Sequence, residues 1–315
     1  MVDVAVVIVT WNVAEIIGQA LSSVLDDLQA SGLSWRVLLV DSASTDDTLA
    51  CVQAFPQVEC LASTENLGFG RANNLAMRHL GFGQPGVDGL PRAVYLLNPD
   101  TISQPGSVRA LYDTLMADPS LGLVGAALRF GDGSFQHAAF TFPGLRQLWA
   151  EFFPTPGRLI ESRWNGRYPR ASYESGRPFE VDFTLGATMM LRAEVVQQVG
   201  MFDEQFFMYC EEVDWAWRIR RAGWRIACVP SALVIHLGGQ STGKACARST
   251  FDLWRSRLLL FRKHYPAWKL ELARRMIVLG IARRRRALAQ DKRHSPSERA
   301  ELAAAYDQIV RMTKE

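Results

Sequence analysis

The stretch VDVAVVIVT, residues 2–10, decides the fold class. It is rich in apolar and β-branched residues, which is typical of a strand buried on both faces. Behind it, EIIGQALSSVLDDL (15–28) has its apolar residues at helical spacing, and WRVLLVD (35–41) reads as a second strand. A strand, a helix and a strand in succession predict a parallel sheet with right-handed crossovers, and therefore an α/β fold.

The alternation of strands and helices continues to residue 129 and then becomes irregular. Further elements are predicted at QVECLAS (57–63), FGRANNLAMRHL (69–80), RAVYLLNPD (92–100), PGSVRALYDTLMAD (105–118) and LGLVGAALR (121–129). Residues 130–178 are rich in Pro, Gly, Arg and aromatics without a clear period, which predicts a long lid or binding loop. Beyond it we predict a strand at 183–192, a helix at 211–223 and an extended segment at 224–236.

The composition is that of an ordinary globular protein. Of the 315 residues, 48% are hydrophobic and 21% are charged. The five cysteines include no CxxC pair, so we expect neither a zinc site nor a disulfide framework. The N-terminus lacks a basic segment ahead of its apolar run, and all apolar runs are shorter than the ~20 residues that span a bilayer. We therefore expect no signal peptide and no transmembrane helix, and predict a cytoplasmic protein.

The charge is unevenly distributed along the chain. Residues 244–293 hold 15 Lys and Arg against three acids, a balance of +12, whereas the remaining residues have a balance of −9. A basic C-terminal arm on an acidic body predicts an anionic partner. At 251–286 the basic residues are mixed with Trp, Leu and Ile, as in helices that lie on an anionic membrane surface. A solvated helical bundle and a homodimer interface are the alternatives.

Polar residues follow the predicted strands at the edge where parallel sheets bind ligands. Asp41 ends the second strand and can accept the ring N–H of a pyrimidine base, with Trp11 or the turn from Thr10 to Asn12 beside it; a helix-capping role is the alternative. Asp100, which follows the fourth strand, can bind a divalent cation that bridges diphosphate oxygens, or can be an ordinary turn residue. NLGFGRANN (66–74) is neither a P-loop nor GxGxxG, and by itself is a weak signal.

The second half of the chain adds carboxylates and a histidine. Glu211 and Glu212 open a predicted helix, and Asp214 lies three residues beyond Glu211. One of these carboxylates can act as a general base, although a negatively charged helix start is the simpler alternative. Trp215 fits the core or a substrate platform equally well. His236 ends an apolar segment and is either a metal ligand or a core histidine.

Taken together and in this order, the motifs resemble those of inverting family 2 glycosyltransferases with a GT-A fold. The matching segments span roughly residues 3–243 and are VVIVTWN, LLVDSASTDDT, NLGFGRANN, YLLNPDT, LGATMMLRAEVVQQVGMFDEQFFMYCEEVDWAWRIRRAGWRI and VIHLGGQST. The variant with NPD and FDExFF resembles bacterial rhamnosyltransferases. The resemblance implies a GT-A domain at 1–243, with a nucleotide-binding half at 1–129 and an acceptor-binding half at 130–243, followed by a basic helical region at 244–315.

The resemblance also implies roles for individual residues. Asp100 corresponds to the last Asp of the DxD motif, where Asn98 replaces the first, and His236 to a further metal position for Mg²⁺ or Mn²⁺. Glu212 corresponds to the catalytic base; Asp214 is the second choice and Glu211 the third. The residues expected to bind substrate are Thr10, Trp11, Asn12, Asp41, Ser42, Asn66, Gly68, Arg71, Asn74, Asn98, Gly186, Ala187 and Trp215.

The implied reaction moves a sugar from a nucleotide-diphosphate donor, with dTDP-rhamnose the best match, to a glycan or polyprenyl-diphosphate-linked acceptor in cell-surface polysaccharide synthesis. The basic arm would hold the enzyme on the inner face of the plasma membrane. An inactive scaffold that binds glycan or protein is the alternative, supported by Asn98 and by Glu212 in place of Asp. We expect no nucleic-acid partner because no such motif is present, and no dehydrogenase because GxGxxG is absent after the first strand.

Overall fold

The computed structural model of the chain describes residues 2–84, 86, 89–238, 246–288, 290, 291 and 294–314. The predicted domain boundary at 243/244 lies outside these residues. The strands are β1 (Val4–Thr10), β2 (Trp35–Ser42), β3 (Val58–Ser63), β4 (Ala93–Leu97), β5 (Thr101–Ser103), β6 (Leu121–Arg129), β7 (Phe135–Gln136), β8 (Ala139–Phe140), β9 (Phe179–Glu180), β10 (Phe183–Thr184), β11 (Thr188–Arg192) and β12 (Arg225–His236).

Helices connect these strands and extend beyond them. They are α1 (Ala14–Ser31), α2 (Thr48–Gln53), α3 (Gly68–His79), α4 (Ser107–Ala117), α5 (Leu145–Phe152), α6 (Gly157–Ile160), α7 (Arg170–Glu174), α8 (Ala193–Val199), α9 (Glu211–Arg221), α10 (Cys246–His264), α11 (Ala267–Leu288) and α12 (Pro296–Met312), with a 3₁₀ turn at Arg163–Asn165. The amphipathic pattern of α1 explains its place: Ile17, Leu21, Val24 and Leu28 are buried against the sheet.

The central sheet confirms the predicted α/β class. Its strands follow the order β3-β2-β1-β4-β11-β6-β12-β5, and the neighbours β3, β2, β1 and β4 are parallel. Strands β1 and β4 are buried almost throughout, as their apolar sequences predict. Because these four strands run the same way, their carboxyl ends meet at one edge of the sheet.

One strand interrupts the parallel order. Strand β11 lies antiparallel between β4 and β6, which simple alternation does not foresee. The predicted strand at 183–192 is broken, because the chain leaves β10 after Thr184 and enters β11 at Thr188. The three residues between them are Leu185, Gly186 and Ala187, and the break places them at the edge where the parallel strands end.

The predicted loop at 130–178 has more structure than expected. It contains the short strands β7 and β8, the helices α5, α6 and α7, and the 3₁₀ turn. The reason is aromatic packing rather than periodicity: Phe152 on α5 stacks on Trp254 of α10, with ring centroids 4.9 Å apart. This region is therefore a folded layer over the C-terminal helices.

Helices α10, α11 and α12 form a second hydrophobic cluster with α5 around Trp254, Phe261 and Ile277. Helix α10 also contacts the segment that leads into α9, where Ser256 Oγ donates to the carbonyl of Met208 at 2.7 Å. None of the described helices is long and apolar enough to cross a bilayer. The basic arm thus supports the start of α9 from one side.

Candidate active site

A cavity of about 300 Å³ opens at the carboxyl ends of the parallel strands. It is lined by residues from all six of the matching segments, among them the break between β10 and β11. The predicted site residues on its walls are Thr10, Trp11, Ser42, Asn66, Gly68, Asn98, Asp100, Gly186, Ala187, Glu211, Glu212 and His236. The predicted residues that do not line it are Asn12, Asp41, Arg71, Asn74, Asp214 and Trp215.

Asp41 does not line the cavity but joins, by hydrogen bonds, the ends of the two strands beside it. Its Oδ1 accepts from the hydroxyls of Thr10 at 3.0 Å and Ser44 at 2.6 Å, and its Oδ2 accepts from the backbone N–H of Ser44 at 2.9 Å. Asn12, with φ +52°, accepts from the backbone N–H of Thr45 at 2.7 Å. These bonds join the ends of β1 and β2 and leave Asp41 buried.

The turn before α3 is fitted against the segment before α9. Asn66 Oδ1 accepts from the backbone N–H of Gly68 at 2.9 Å, and Phe69 N–H donates to the carbonyl of Phe207 at 3.1 Å. Gly68 has φ +69°, and a Cβ there would lie 2.2 Å from the Phe207 carbonyl oxygen. Only glycine satisfies both conditions, so this position fixes the distance between the two segments.

The two polar residues of α3 that we expected to bind substrate instead bind the protein. The Asn74 amide donates to the Phe202 carbonyl at 2.9 Å and accepts from the Phe202 N–H at 3.0 Å. Arg71 lies 3.1 Å from Glu65 and 3.9 Å from Glu204. Both side chains therefore anchor the segment that leads to α9, and that contact across 128 residues gives no local sequence signal.

Asp100 and His236 meet because β5 pairs antiparallel with β12, which sets Thr101 opposite His236. The Nε2 of His236 lies 3.4 Å from Oδ1 of Asp100. Gln136, which sequence reasoning missed, faces the other ring nitrogen, with its amide nitrogen at 3.0 Å and its oxygen at 3.3 Å from Nδ1. The orientation of the Gln136 amide sets the tautomer: an amide nitrogen that donates to Nδ1 leaves Nε2–H facing Asp100, whereas an oxygen that accepts from Nδ1–H leaves the Nε2 lone pair available to a cation.

The residues around Asp100 fit a divalent cation. The Oδ1 of Asn98 is buried without a hydrogen-bond partner, beside a carboxylate and an imidazole on the same cavity wall. Mg²⁺ takes one or two carboxylates and completes its shell with phosphate and water, and Mn²⁺ accepts similar oxygen donors. Within the described residues, no group of three or more His, Cys, Asp and Glu side chains forms a complete protein cage. The donor set thus matches a cation held jointly with a diphosphate.

Helix α9 begins at a strained turn. Tyr209 and Cys210, in succession, have φ of +69° and +66°, although neither is glycine. Such conformations cost ~1–3 kcal/mol each and persist where the surroundings enforce them. Here Tyr209 lines the cavity, and the turn delivers Glu211 and Glu212 to its wall.

Both glutamates have raised pKa values. Burial and then the negative charge of Glu212 hold the pKa of Glu211 well above its usual range, and the Oε2 of Glu211 is buried without a partner. Burial also raises the pKa of Glu212, although backbone N–H groups at the start of the helix partly oppose the shift. Glu212 faces Gly186, where an added Cβ would lie 3.6 Å from Glu212 Cγ.

Asp214 points away from the cavity into a buried ion cluster, formed by Asp214, Arg218, Lys263 and His264. Its Oδ2 accepts from Arg218 Nε at 2.9 Å; its Oδ1 accepts from His264 Nε2 at 2.7 Å and lies 2.8 Å from Lys263 Nζ. Burial alone would raise the pKa of Asp214, but these hydrogen bonds and the Arg218 charge lower it to about 2. A carboxylate so fully engaged has no oxygen left for a substrate hydroxyl.

Trp215 belongs to the core. Its side chain is fully buried, its Nε1 donates to the carbonyl of Gly200 at 2.8 Å, and its ring lies 4.3 Å from that of Phe202. It is therefore not a substrate platform. The structure thus offers two carboxylates with raised pKa values that line the same cavity as an Asp–His pair that fits a cation.

Comparisons with known proteins agree on one family. The family model described as "Glycosyltransferase like family 2" matches residues 2–257. The N-acetylglucosaminyl-diphospho-decaprenol L-rhamnosyltransferase of two Mycobacterium tuberculosis strains is 35% identical over 244 residues, which cover 74% of this chain and 76% of that protein. The low-salt glycan biosynthesis hexosyltransferase Agl10 of Haloferax volcanii is 26% identical and covers 70% of this chain and 62% of its own.

A solved structure shares the fold. The mannosyltransferase PcManGT from Pyrobaculum calidifontis, in complex with GDP-Man and Mn²⁺, superposes with a TM-score of 0.56 at 18% identity. The superposition covers 99% of this chain and 84% of that chain. At this identity the likeness shows the fold alone, and the predicted GT-A architecture is confirmed.

Proposed function

The chain belongs to the family 2 glycosyltransferases and resembles rhamnosyltransferases within it, and on that basis we propose that it moves rhamnose from dTDP-rhamnose, with inversion, to a polyprenyl-diphosphate-linked glycan. The observation that carries the proposal is the cavity at the strand ends, whose walls contain both Glu212 and the Asp100–His236 pair. In the same proposal, residues 1–129 hold the donor and residues 130–243 hold the acceptor.

Glu212 is the proposed general base. It lines the cavity beside Gly186, whose missing side chain leaves room for an acceptor hydroxyl. A carboxylate whose pKa is raised by burial accepts a proton more readily than an ordinary one, which favours proton removal near neutral pH. The activated hydroxyl then attacks the anomeric carbon from the face opposite the leaving nucleotide diphosphate, so a single displacement inverts the configuration.

The other side of the cavity would hold the leaving group. Asp100, His236 and Asn98 would bind Mg²⁺ or Mn²⁺, which supplies positive charge to the diphosphate when bound. Asp41, Thr10 and Asn12 keep the ends of β1 and β2 in a fixed arrangement, so the cavity wall needs little rearrangement when the donor binds. The residues of this chain thus orient the donor and remove the acceptor proton.

A lipid-linked acceptor requires the enzyme to work at a membrane surface, and α11 supports that location. Trp268, Leu272 and Leu279 are 68%, 43% and 62% exposed, and their spacing puts them on one face of the helix. Arg275 and Arg286 share that face, and each basic residue near an anionic surface adds ~1 kcal/mol. We propose peripheral attachment through this face, tested by flotation with phosphatidylglycerol vesicles that weakens as salt is added.

The experiment for the activity is nucleotide diphosphate release from dTDP-rhamnose, UDP-GlcNAc and GDP-mannose, with Mg²⁺, Mn²⁺ or EDTA. We expect release from one donor only. EDTA and Asp100→Asn should each lower it about 100-fold, because a metal contributes several kcal/mol to such reactions. Asp132→Asn, on an exposed turn, is the matched control and should have no effect.

Two outcomes would contradict the proposed activity or the role of Asp100 in it. If no donor is hydrolysed, even with crude membrane lipid as acceptor, while donor binding is measurable, then the chain is a binding scaffold. If neither EDTA nor Asp100→Asn lowers release below that of wild type with metal, the role assigned to Asp100 is wrong and the transferase proposal survives without the metal.

A further inference from the structure

A second cleft, of about 700 Å³, lies outside the catalytic cavity. We call it the basic cleft and define it by Arg146, Arg163, Lys269, Asp182 and Trp217. Arg146 is on α5, Arg163 on the 3₁₀ turn, Lys269 on α11 and Trp217 on α9. Four separate elements therefore bring the cleft together, and three of them contribute a cation.

The cations of the basic cleft have no carboxylate partner among the described residues. Arg163 lies over the ring of Tyr168 at 4.8 Å and Lys269 Nζ over the ring of Tyr265 at 3.8 Å, so both are positioned by aromatic faces rather than by acids. Asp182, the one acid among the lining residues, already accepts from the backbone N–H of Phe142 at 2.8 Å. The cleft thus has an unneutralised positive charge that an anionic ligand can meet.

One wall of the basic cleft is rigid. The rings of Phe142 and Trp217 are stacked with centroids 4.3 Å apart and an interplanar angle of 10°. On its other face, Trp217 stacks on His264 at 4.5 Å and 4°. Because His264 belongs to the buried ion cluster, this wall is fixed before any ligand binds.

The basic cleft adjoins both the hydrophobic cluster beside the cavity and the first turn of α11. Trp217, on its wall, and Tyr209, on the cavity wall, pack against the same hydrophobic cluster around Phe206 and Val213. At the other end, Lys269 adjoins Trp268, which is 68% exposed. The cleft is therefore in contact, at Lys269, with the first turn of α11, where the exposed face of that helix begins.

We infer that the basic cleft binds the diphosphate of the lipid-linked acceptor, an inference that rests on the proposed function. Guanidinium groups form paired hydrogen bonds with phosphate oxygens, and a lysine adds a compact charge beside them. Glu212 and Trp217 lie ~7.5 Å apart along the axis of α9 but about 140° apart around it, so this helix does not join the cleft to the base. The connection is made by Phe142, which lines the cleft and stacks on Phe183 with ring centroids 6.2 Å apart, two residues before Leu185 of the cavity wall. A diphosphate in the cleft would thus have its attached sugar extend past Phe142 and Phe183 toward the cavity.

The experiment measures binding of the full chain to two kinds of phosphatidylcholine vesicle with equal negative charge. One contains a polyprenyl diphosphate and the other contains phosphatidylglycerol. We expect wild type to prefer the diphosphate vesicles at least ~10-fold, a difference worth about one charge-assisted hydrogen bond. Arg146→Gln with Arg163→Gln should reduce the preference below ~2-fold, whereas Arg177→Gln with Arg221→Gln, two exposed arginines, should retain it.

Several outcomes would overturn the inference. Equal binding of wild type to both vesicles would do so, as would a full preference in Arg146→Gln/Arg163→Gln. Displacement from the diphosphate vesicles by dTDP at least ~10-fold more readily than by inorganic pyrophosphate would show recognition of the nucleoside and assign the cleft to the donor instead. Donor hydrolysis is measured on the same variants. If wild type hydrolyses no donor, the proposed function fails whatever the vesicles show. Hydrolysis that is unchanged in Arg146→Gln/Arg163→Gln would show that the basic cleft and the donor site are separate.

Discussion

The first turn of α9 carries two kinds of carboxylate with opposite acid–base properties. Glu211 and Glu212 line the catalytic cavity, and burial raises the pKa of both. Asp214, two residues further on, is fully buried, yet its pKa is lowered to about 2. Burial acts in the same direction on all three, so the difference must come from their neighbours.

The direction in which each side chain leaves the helix determines which residues surround it. Asp214 faces Arg218, Lys263 and His264, whose hydrogen bonds and charges more than offset the burial. The glutamates face a cavity in which no cation of the described protein contacts them, so their ionised forms stay unfavourable. A helix can therefore hold a strong base and a structural anion within one turn, provided that only one side is neutralised.

The largest expected effect is on the rate of the Glu212→Gln variant. Removal of a general base costs about 10²–10⁴-fold in kcat, equivalent to roughly 3–5 kcal/mol of transition-state stabilisation. Donor binding and the melting temperature should change little, because Gln keeps the shape of the side chain. The measurement is steady-state kinetics with saturating donor, and Glu194→Gln, at an exposed helix position, is the control.

The pH dependence of kcat/KM is a second test of Glu212 as the general base. The base must be ionised, so kcat/KM should fall as the pH falls through its raised pKa, at a higher pH than for an ordinary glutamate. Glu212→Gln should lose this acid limb. An unchanged rate and an unchanged limb in that variant would move the role to Glu211.

The Asp214→Asn variant should lose folding stability, by a free energy similar in size to the catalytic loss expected for Glu212→Gln. Removing one partner from a buried ion pair costs about 3–5 kcal/mol, because the remaining charges stay desolvated. The free energy of unfolding is the quantity to measure, by urea titration at neutral pH. Glu271→Gln, which breaks an exposed pair with Arg275 at the same i,i+4 spacing, should cost less than ~0.5 kcal/mol.

Acid should remove the same stabilisation from wild type. Because the folded pKa of Asp214 lies below its ordinary value of 3.8, its contribution is complete above that value and is lost as the pH falls toward 2. Asp214→Asn should therefore flatten the stability curve between about pH 4 and 2. If the variant instead lost activity at full stability, Asp214 would be the base.

The sequence predicts the residues of the cavity well and the buried ion cluster around Asp214 poorly. Thr10, Asn98 and Asp100 were found because parallel strands end at one edge of the sheet, so their positions follow from strand alternation alone. Glu212 needed the family resemblance, since two adjacent glutamates at a helix start are common. Spacing along α9 could not tell which face meets the cavity.

The buried ion cluster could not be predicted from local patterns. Asp214 meets His264 across 50 residues, and that contact depends on how α10 packs against α9. The same limit applies to Asn74, whose partner lies 128 residues away, and to Trp215, whose helical position fits core and cavity alike. The position of β11 between β4 and β6 likewise depends on tertiary packing, which strand propensity does not predict.

A smaller effect is expected for Glu211→Gln, and it should have the opposite sign. Glu211 is buried with Oε2 unpartnered, so its ionised form opposes folding, and a neutral isostere should stabilise the protein by about 1–3 kcal/mol. Because the folded pKa is raised, wild type is favoured in acid and loses that advantage as the pH rises. The gain in melting temperature should thus be clear at pH 8 and shrink toward pH 4.

A result without any gain at pH 8 would show that Glu211 has a cationic partner in solution. The divalent cation proposed at Asp100 is the obvious candidate, so the measurement is made in EDTA and then in Mn²⁺. Destabilisation only in Mn²⁺ would place Glu211 among the groups that stabilise the metal.

The smallest effect is expected from Lys263→Gln, at the exposed edge of the buried ion cluster. Lys263 lies 2.7 Å from Asp203 and 2.8 Å from Asp214, but its side chain is 31% exposed, and Asp214 keeps His264 and Arg218 without it. We expect a loss of at most ~1 kcal/mol that diminishes in 1 M NaCl, since exposed pairs are screened. Lys263→Arg, measured beside it by urea titration, should retain most of the stability. A loss in Lys263→Gln as large as that in Asp214→Asn would mean that the cluster stabilises the fold mainly by tying α10 to the segment before α9, and not by neutralising Asp214.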